Sequence, residues 1–230
     1  MPKVKKIYVG TNLVRPKGWM PWANTIAYYP LTSTTTVNDQ SGNNYNLTNS
    51  WSVTFWTYKG VNCAYFSGSN KLTTTSFVSN QQTVTISCWV YFIRNGYSTN
   101  WNYNQFIRRW GWSSANFWPY YDNNTSIQKI VCSPWWIGTT TPISDSSREY
   151  ITVTFNWSNI VKLYVNWVLD GTNSSATVPS WSRFGVWGYT INNTNVRKWW
   201  ISEVIVENKV RTDQEIADYY NQTKWNYWIS

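Results

Sequence analysis

The stretch "VKLYVNWVLDGT" (Val161–Thr172) reads as two β-strands joined by a two-residue turn at Asn166 and Trp167. Val161, Leu163 and Val165 alternate onto one face, the pattern of a half-buried strand. Such a turn needs positive φ at both central positions, which is why Asn-Gly is the usual pair. A side chain at positive φ costs about 1–2 kcal/mol, and a bulky one is an outlier. The stretch therefore predicts a β-hairpin and raises a question, because a tryptophan stands where the backbone favours glycine.

The same character runs through the chain. Of 230 residues, 19% are aromatic and only 13% charged, and 19 Trp outnumber 11 Gly. Low charge, many β-branched and aromatic residues and abundant turn formers predict an all-β protein, long enough to bury a full core. Strand-like runs alternate with turn clusters: "IAYYPL" (26–31), "NCAYFS" (62–67), "TVTISCWVYFI" (83–93), "NQFIRR" (104–109), "SIQKIVCS" (126–133), "EYITVTFN" (149–156) and "WISEVIVEN" (200–208). In the longest run, Val84, Ile86, Cys88, Val90 and Phe92 take one face, and Thr85, Ser87, Trp89 and Tyr91 the other. One helix is predicted in "RTDQEIADYYNQTK" (211–224). Thr212 and Glu215 form a capping box, Asp213 and Glu215 suit the helix dipole, and Ile216, Tyr219 and Tyr220 follow at helical spacing. Many short strands with one late helix predict a two-sheet antiparallel sandwich.

Residues 1–22 read as a separate basic arm and residues 23–230 as the domain. "KKIYVGTNLV" (5–14) suits a short hairpin, broken by Pro16 and Pro21 in "RPKGWMPW" (15–22). Lys3, Lys5, Lys6, Arg15 and Lys17 supply much of the net charge of +9. The plain reading is a solvated arm; the functional one is an anchor to an acidic surface or an assembly partner. No RRM, OB or helix-turn-helix pattern accompanies the charge, so nucleic acid is not expected. Cys63, Cys88 and Cys132 lack metal-site spacing and read as small buried hydrophobes. No apolar run of signal-peptide length follows the basic start, and no stretch approaches the roughly 20 apolar residues of a membrane span.

Five motifs in order carry a family resemblance: "IAYYPL…VNDQSGNNYNLT" (26–48), "CAYFSGSNKLTT" (63–74), "VTISCWVYF" (84–92), "EYITVTFN…VKLYVNWVLDGT" (149–172) and "ISEVIVENKVRTDQEIADYYNQTK" (201–224). Together they resemble the laminin-G-like branch of the concanavalin A-like lectin/glucanase superfamily. The resemblance covers nearly everything from Ile26 to Lys224. It implies a jelly-roll of two curved antiparallel sheets, used most often to bind glycans or other surface ligands and in some members for assembly alone. Two departures stand out: Tyr150 where such domains often have Trp, and Trp167 where they have Gly.

The tryptophan question extends to other turn and loop contexts. Trp157 follows Asn156 between two strands, Trp187 precedes Gly188, Trp110 and Trp112 flank Gly111, Trp118 precedes Pro119, Trp181 lies between serines, and Trp225 and Trp228 punctuate a polar tail. Glycine is the expected punctuator in such places. A gene whose UGA codons mean glycine, translated with UGA as tryptophan, would produce this pattern. Trp89, inside a strand, reads as genuine. The alternative is that all are genuine and serve as sugar-stacking platforms.

The chain has no His, which removes Ser-His-Asp and Cys-His nucleophiles and the commonest zinc ligand. A glycosidase needs two carboxylates a few ångströms apart. Glu203 and Glu207 share a predicted strand but would lie about 13 Å apart at strand rise, and the Glu-x-Asp-x-Glu-type strand motif of the superfamily's retaining glucanases is not matched. Glu203 reads as structural, pairing with a Lys or Arg. No nucleotide-binding motif is present. Asn38, Asp39 and Asp122 are turn residues that could offer oxygen to calcium, though bonding to their own backbone is the plainer role.

The sequence thus predicts no catalytic residues and no required cofactor, calcium being an alternative. Its richest ligand-binding mixture lies in Tyr97–Trp136, read as a loop-rich sandwich edge. There Tyr103, Tyr120, Tyr121, Asn123 and Trp136 combine aromatic faces for a sugar's CH side with amides for its hydroxyls. The expected function is a non-catalytic carbohydrate- or surface-binding module. The start of the chain loosely resembles phage structural proteins, so a virion tail or fibre component, or a cell-surface adhesin, is the expected setting, with a glycan or host surface as partner. Homo-oligomers or virion assembly through the arm are further expectations. A structural module without a small ligand is the second reading, and an unusual glycosidase the third.

Overall fold

The computed structural model describes residues 7–9, 12–14, 23–31, 36–50, 52–67, 70–75, 77, 83–93, 105–110, 116–122, 127–133, 137–143, 146–156, 158–175, 183–189 and 198–227; for some strand residues, Asn116–Asp122 among them, the description is of the backbone. In chain order the strands are β1 (Ile7–Val9), β2 (Asn12–Val14), β3 (Thr25–Tyr29), β4 (Thr36–Val37), β5 (Leu47–Ser50), β6 (Thr54–Tyr58), β7 (Val61–Ser67), β8 (Lys71–Thr73) and β9 (Val84–Ile93). They continue with β10 (Gln105–Trp110), β11 (Asn116–Asp122), β12 (Ile127–Ser133), β13 (Ile137–Gly138), β14 (Arg148–Phe155), β15 (Val161–Val165), β16 (Val168–Asn173), β17 (Arg183–Tyr189) and β18 (Lys198–Glu207). One helix, α1 (Asp213–Tyr227), follows.

Two eight-stranded antiparallel sheets make the body. The first runs β13-β12-β11-β10-β17-β8-β5-β4. The second runs β16-β15-β14-β9-β18-β7-β6, with β3 pairing the second half of β18 beside β7. β1 and β2 pair with each other as a separate hairpin, Ile7 opposite Val14.

The period-two pattern of β9 decides what each face of the second sheet does. Val84, Ile86, Cys88, Val90 and Phe92 enter one buried cluster with Ile151, Val153 and Phe155 of β14 and with Leu72, Ile107, Phe184 and Val186 of the first sheet. That shared cluster is the core of an all-β sandwich, and burying it is the main favourable term for the fold. Trp89, on the opposite face, joins Tyr150, Tyr164 and Ile205 beneath Ile216, Tyr219, Tyr220 and Tyr227 of α1. The helix thus covers the outer face of the second sheet rather than adding to the sandwich core. All three cysteines are buried.

The cap forms as the sequence predicts: Thr212 N–H donates to Glu215 Oε2 at 3.0 Å and Glu215 N–H to Thr212 Oγ1 at 3.2 Å. The helix continues three residues past Lys224, because Tyr227 packs on Trp89 with ring centroids 4.7 Å apart. Glu203, fully buried under the helix, accepts hydrogen bonds from the hydroxyls of Tyr28 and Tyr227 at 3.1 Å each and from Tyr219. Its role is structural, with tyrosine hydroxyls as donors, and it is Glu207 that forms a buried ion pair with Arg211.

Three sequence expectations need correction. Trp110, Trp118 and Trp187 lie in strands β10, β11 and β17, and Trp225 lies in α1, not in the turns and loops expected of glycine-like positions. The loop between β14 and β15 does reverse tightly, with Asn159 N–H donating to Asn156 O at 3.1 Å, but not as an Asn-Gly-type two-residue turn at Asn156–Trp157. It spans residues 156–160, because Asn156 closes a wider loop: its N–H donates to Ile160 O at 3.1 Å and its Oδ1 accepts from Ile160 N at 2.9 Å. Positive φ falls on Asn159, at 58°, and Trp157 lies outside the described residues. The segment holding Tyr120, Tyr121 and Asp122 is a strand, not a loop, in register with β12 from Asn116–Ser133 to Asp122–Ile127. Pro119 is tolerated there because β11 pairs with β10 only through Asn116 and Phe117, so no ladder bond is missing on that side.

Candidate functional site

The side-chain constellation with the most varied chemistry sits where α1 ends on the outer face of the second sheet. Two strand ends and two turns build it. The β6–β7 hairpin turns at Lys59 and Gly60, with φ of 47° and 71°, the geometry of a type I′ turn. This turn carries Lys59 over β9, placing its Nζ 4.9 Å from the Tyr91 ring centroid. Arg148 opens β14 directly opposite Tyr91 in the ladder, with its guanidinium carbon 5.9 Å from the same ring.

Arg148 also ties the helix to the sheet. Its Nη1 donates to Tyr227 O at the helix C-terminus, where a cation is favoured, and its Nη2 to Tyr58 O at 3.4 Å. Its Nε is buried without a hydrogen-bond partner. Burial lowers the affinity of Arg148 for its proton. Tyr58 is pushed up to about 12 by its hydrogen bond to Tyr91 and by burial. Burial would raise Tyr91 as well, but hydrogen bonds with Tyr58, Ser146 and Lys59 outweigh it and hold Tyr91 below the ordinary phenol value.

The opposite wall is polar. Glu149 is held by the Ser147 hydroxyl and the Asn166 amide. Burial raises its carboxyl above the ordinary range, partly offset by those two bonds. Between the walls lies an open pocket of about 270 Å³, which Ser146 and Tyr227 also line. Glu149 is the one carboxylate lining it among the described residues.

An aromatic ledge continues from the pocket across the sheet. Tyr58 stacks on Trp200 at 4.0 Å with planes 11° apart; Tyr65 lies 5.1 Å from Trp200; Trp56 meets Tyr65 edge-on at 5.5 Å. Trp56, on the sheet's edge strand, is 55% exposed.

The residues singled out from sequence lie elsewhere. Tyr103, Asn123 and Trp136 fall outside the described residues. Tyr120, Tyr121 and Asp122 occupy successive positions of β11 opposite Lys129, Gln128 and Ile127. Asn38 is exposed. Asp39 is buried, and its carboxylate accepts from the N–H groups of Tyr28 and Ser41 at 2.9 Å, from Tyr45 N–H at 3.1 Å and from the Ser41 hydroxyl at 2.8 Å. The Ser41 N–H contact is the Asx-type turn bonding of such a residue, and the Tyr28 N–H contact ties the turn to β3. No group of three metal-ligating side chains occurs among the described residues. The pocket residues carry two turn signals in the sequence, Asn166 in the Asn166–Trp167 turn and the Lys59-Gly60 pair. Nothing local marks Tyr58, Tyr91 and Arg148 as neighbours, since three strands bring them together.

No protein-family model matches the chain, and no curated protein sequence does. Its likeness is to solved structures of toxin binding domains. The botulinum neurotoxin serotype D binding domain is 16% identical over 86% of this chain and 52% of its own, with a TM-score of 0.64. A structure of botulinum neurotoxin type C, which depends on interaction with two ganglioside molecules to enter cells, is 15% identical over 86% of this chain and 51% of its own, at 0.64. The binding domain of Paraclostridial Mosquitocidal Protein 1 is 15% identical over 86% and 51%, at 0.62. The chain thus spans about half the length of the structures it matches. At this level of identity the likeness is one of fold: a β-sandwich shared with binding domains.

Proposed function

We propose that this chain is a non-catalytic module that binds a carbohydrate or glycan-bearing surface on a concanavalin A-like jelly-roll scaffold. The observation that carries the reading is the pocket at the end of α1. It sets an aromatic ring, hydroxyls, an amide and two cations around one space, the mixture that suits a sugar's CH face and its polar groups. Among the described residues a single carboxylate lines it, without the partner that glycoside hydrolysis requires. The dependence of the type C neurotoxin on gangliosides supports a glycan as the kind of ligand. Tyr103, Tyr120, Tyr121, Asn123 and Trp136 are proposed as a second ligand-binding edge. A virion tail or fibre, or a cell surface, is the proposed setting, with the basic arm (1–22) as the attachment segment and 23–230 as the binding domain. Screening the chain on a broad glycan array tests the proposal: binding of at least one glycan class without turnover is expected, and no binding at any density overturns it.

A second reading, an assembly module, is favoured by the exposed run Trp167, Val168 and Leu169 at the β15–β16 hairpin. Discrete oligomers in sedimentation, dispersed by replacing Leu169 with Thr, would support it. The codon reading belongs to the same proposal. Trp167 at φ 75° supports it, and UGG at codon 167 would remove that support.

A further inference from the structure

Two cations and an aromatic ledge share one face of the second sheet. Among the described residues no carboxylate lies within ion-pair distance of Lys59 or Arg148. Arg148 spends its terminal nitrogens on two carbonyl oxygens, which orient the guanidinium without neutralising it. Arg148 is part-buried, and a cation withdrawn from water is costly unless an anion compensates it; Lys59 is exposed. Lys59 stands over the ring that Arg148 also approaches, so both charges point to one region.

The ledge gives that region a direction. Tyr65, Trp200, Tyr91 and Arg148 are successive cross-strand partners on β7, β18, β9 and β14. Three inter-strand spacings separate the first from the last, about 14 Å, which is longer than one sugar ring. Trp56 extends the row to the edge strand, with its indole largely in solvent.

Building on the glycan-binding reading above, we infer that pocket and ledge form one elongated site for an acidic oligosaccharide. Its carboxylate or sulfate lies between Lys59 and Arg148, and the neighbouring sugar units lie along Tyr65 and Trp56. Charge selects the ligand, and stacking rewards its length.

The test is an array carrying sialylated, uronic-acid and sulfated oligosaccharides of increasing length beside their neutral counterparts, probed with the full chain and two variants. Lys59→Asn removes the cation and keeps a residue suited to positive φ. Trp56→Thr removes an exposed ring and keeps a strand former. The expected result is binding to acidic members that strengthens with length and weakens with added salt. Lys59→Asn lowers affinity about tenfold for every acidic ligand, the size of a charge-assisted hydrogen bond. Trp56→Thr lowers it for the longer ligands and leaves single acidic sugars unchanged. Equal binding of neutral and acidic forms, or an unchanged affinity in both variants, overturns this inference while leaving the glycan-binding reading intact. Absence of binding to every glycan overturns both.

Discussion

Tyr150 and Asn166 hold each other twice. The Asn166 N–H donates to Tyr150 O at 2.8 Å, and the Tyr150 N–H donates to Asn166 Oδ1 at 2.9 Å. The turn residue therefore extends the β14–β15 ladder by one step, its side chain supplying the acceptor. This pins the turn at its first central residue, while Trp167, its second, sits at φ 75° and is 46% exposed. Replacing Trp167 with Gly should remove strain and little packing. Stability to urea should rise by about 1 kcal/mol, the lower end of the cost of a side chain at positive φ. An unchanged or lower midpoint would mean that the indole makes contacts which compensate.

Gly171 lies across a register shift in the β15–β16 ladder. A Cβ there would stand 3.0 Å from Gly138 O and 3.0 Å from Ile137 Cγ1. Gly171→Ala should destabilise the protein by about 1–3 kcal/mol, the range of overpacking a filled site. Gly138→Ala, where the nearest atom is at 3.6 Å, is the milder companion, and the two urea midpoints should differ in that order.

Tyr219 helps to satisfy a buried carboxylate. Tyr219→Phe keeps the ring beside Tyr150, 5.5 Å away, and deletes only the hydroxyl that donates to Glu203. The expected loss is about 1–3 kcal/mol, the cost of leaving a buried acceptor short of a donor. Denaturation followed by far-ultraviolet circular dichroism measures it.

Glu149 gives the fold a pH dependence whose sign follows from its burial. Its folded-state value is raised, so the fold favours the protonated acid. That contribution is fully present below the ordinary carboxylate value and is lost as pH rises through the folded value. Glu149→Gln should therefore flatten the pH dependence of stability, with the variant gaining on the parent as pH rises to neutral. Urea midpoints measured from mildly acidic to neutral pH check this; parallel curves would show that Glu149 does not titrate differently on folding.

Local pattern determined a good deal of this protein. Alternation in β9 assigned Val84 through Phe92 to the core and Trp89 and Tyr91 to the far face, because side chains alternate across a strand whatever it packs against. Thr212 and Glu215 marked the helix start, because a capping box is contained within four residues. Asn166 and Trp167 marked a two-residue turn for the same local reason. Only the tertiary structure decided what those faces meet. The pairing of Asn156 with Ile160 made the β14–β15 reversal longer than the Asn-Gly-type two-residue turn expected there. The one-sided pairing of β11 made a strand through Pro119. The pocket came from β6, β9, β14 and α1, whose residues are far apart in sequence. Register between strands distant in the chain is set by the summed burial of whole faces, and no short stretch carries that sum.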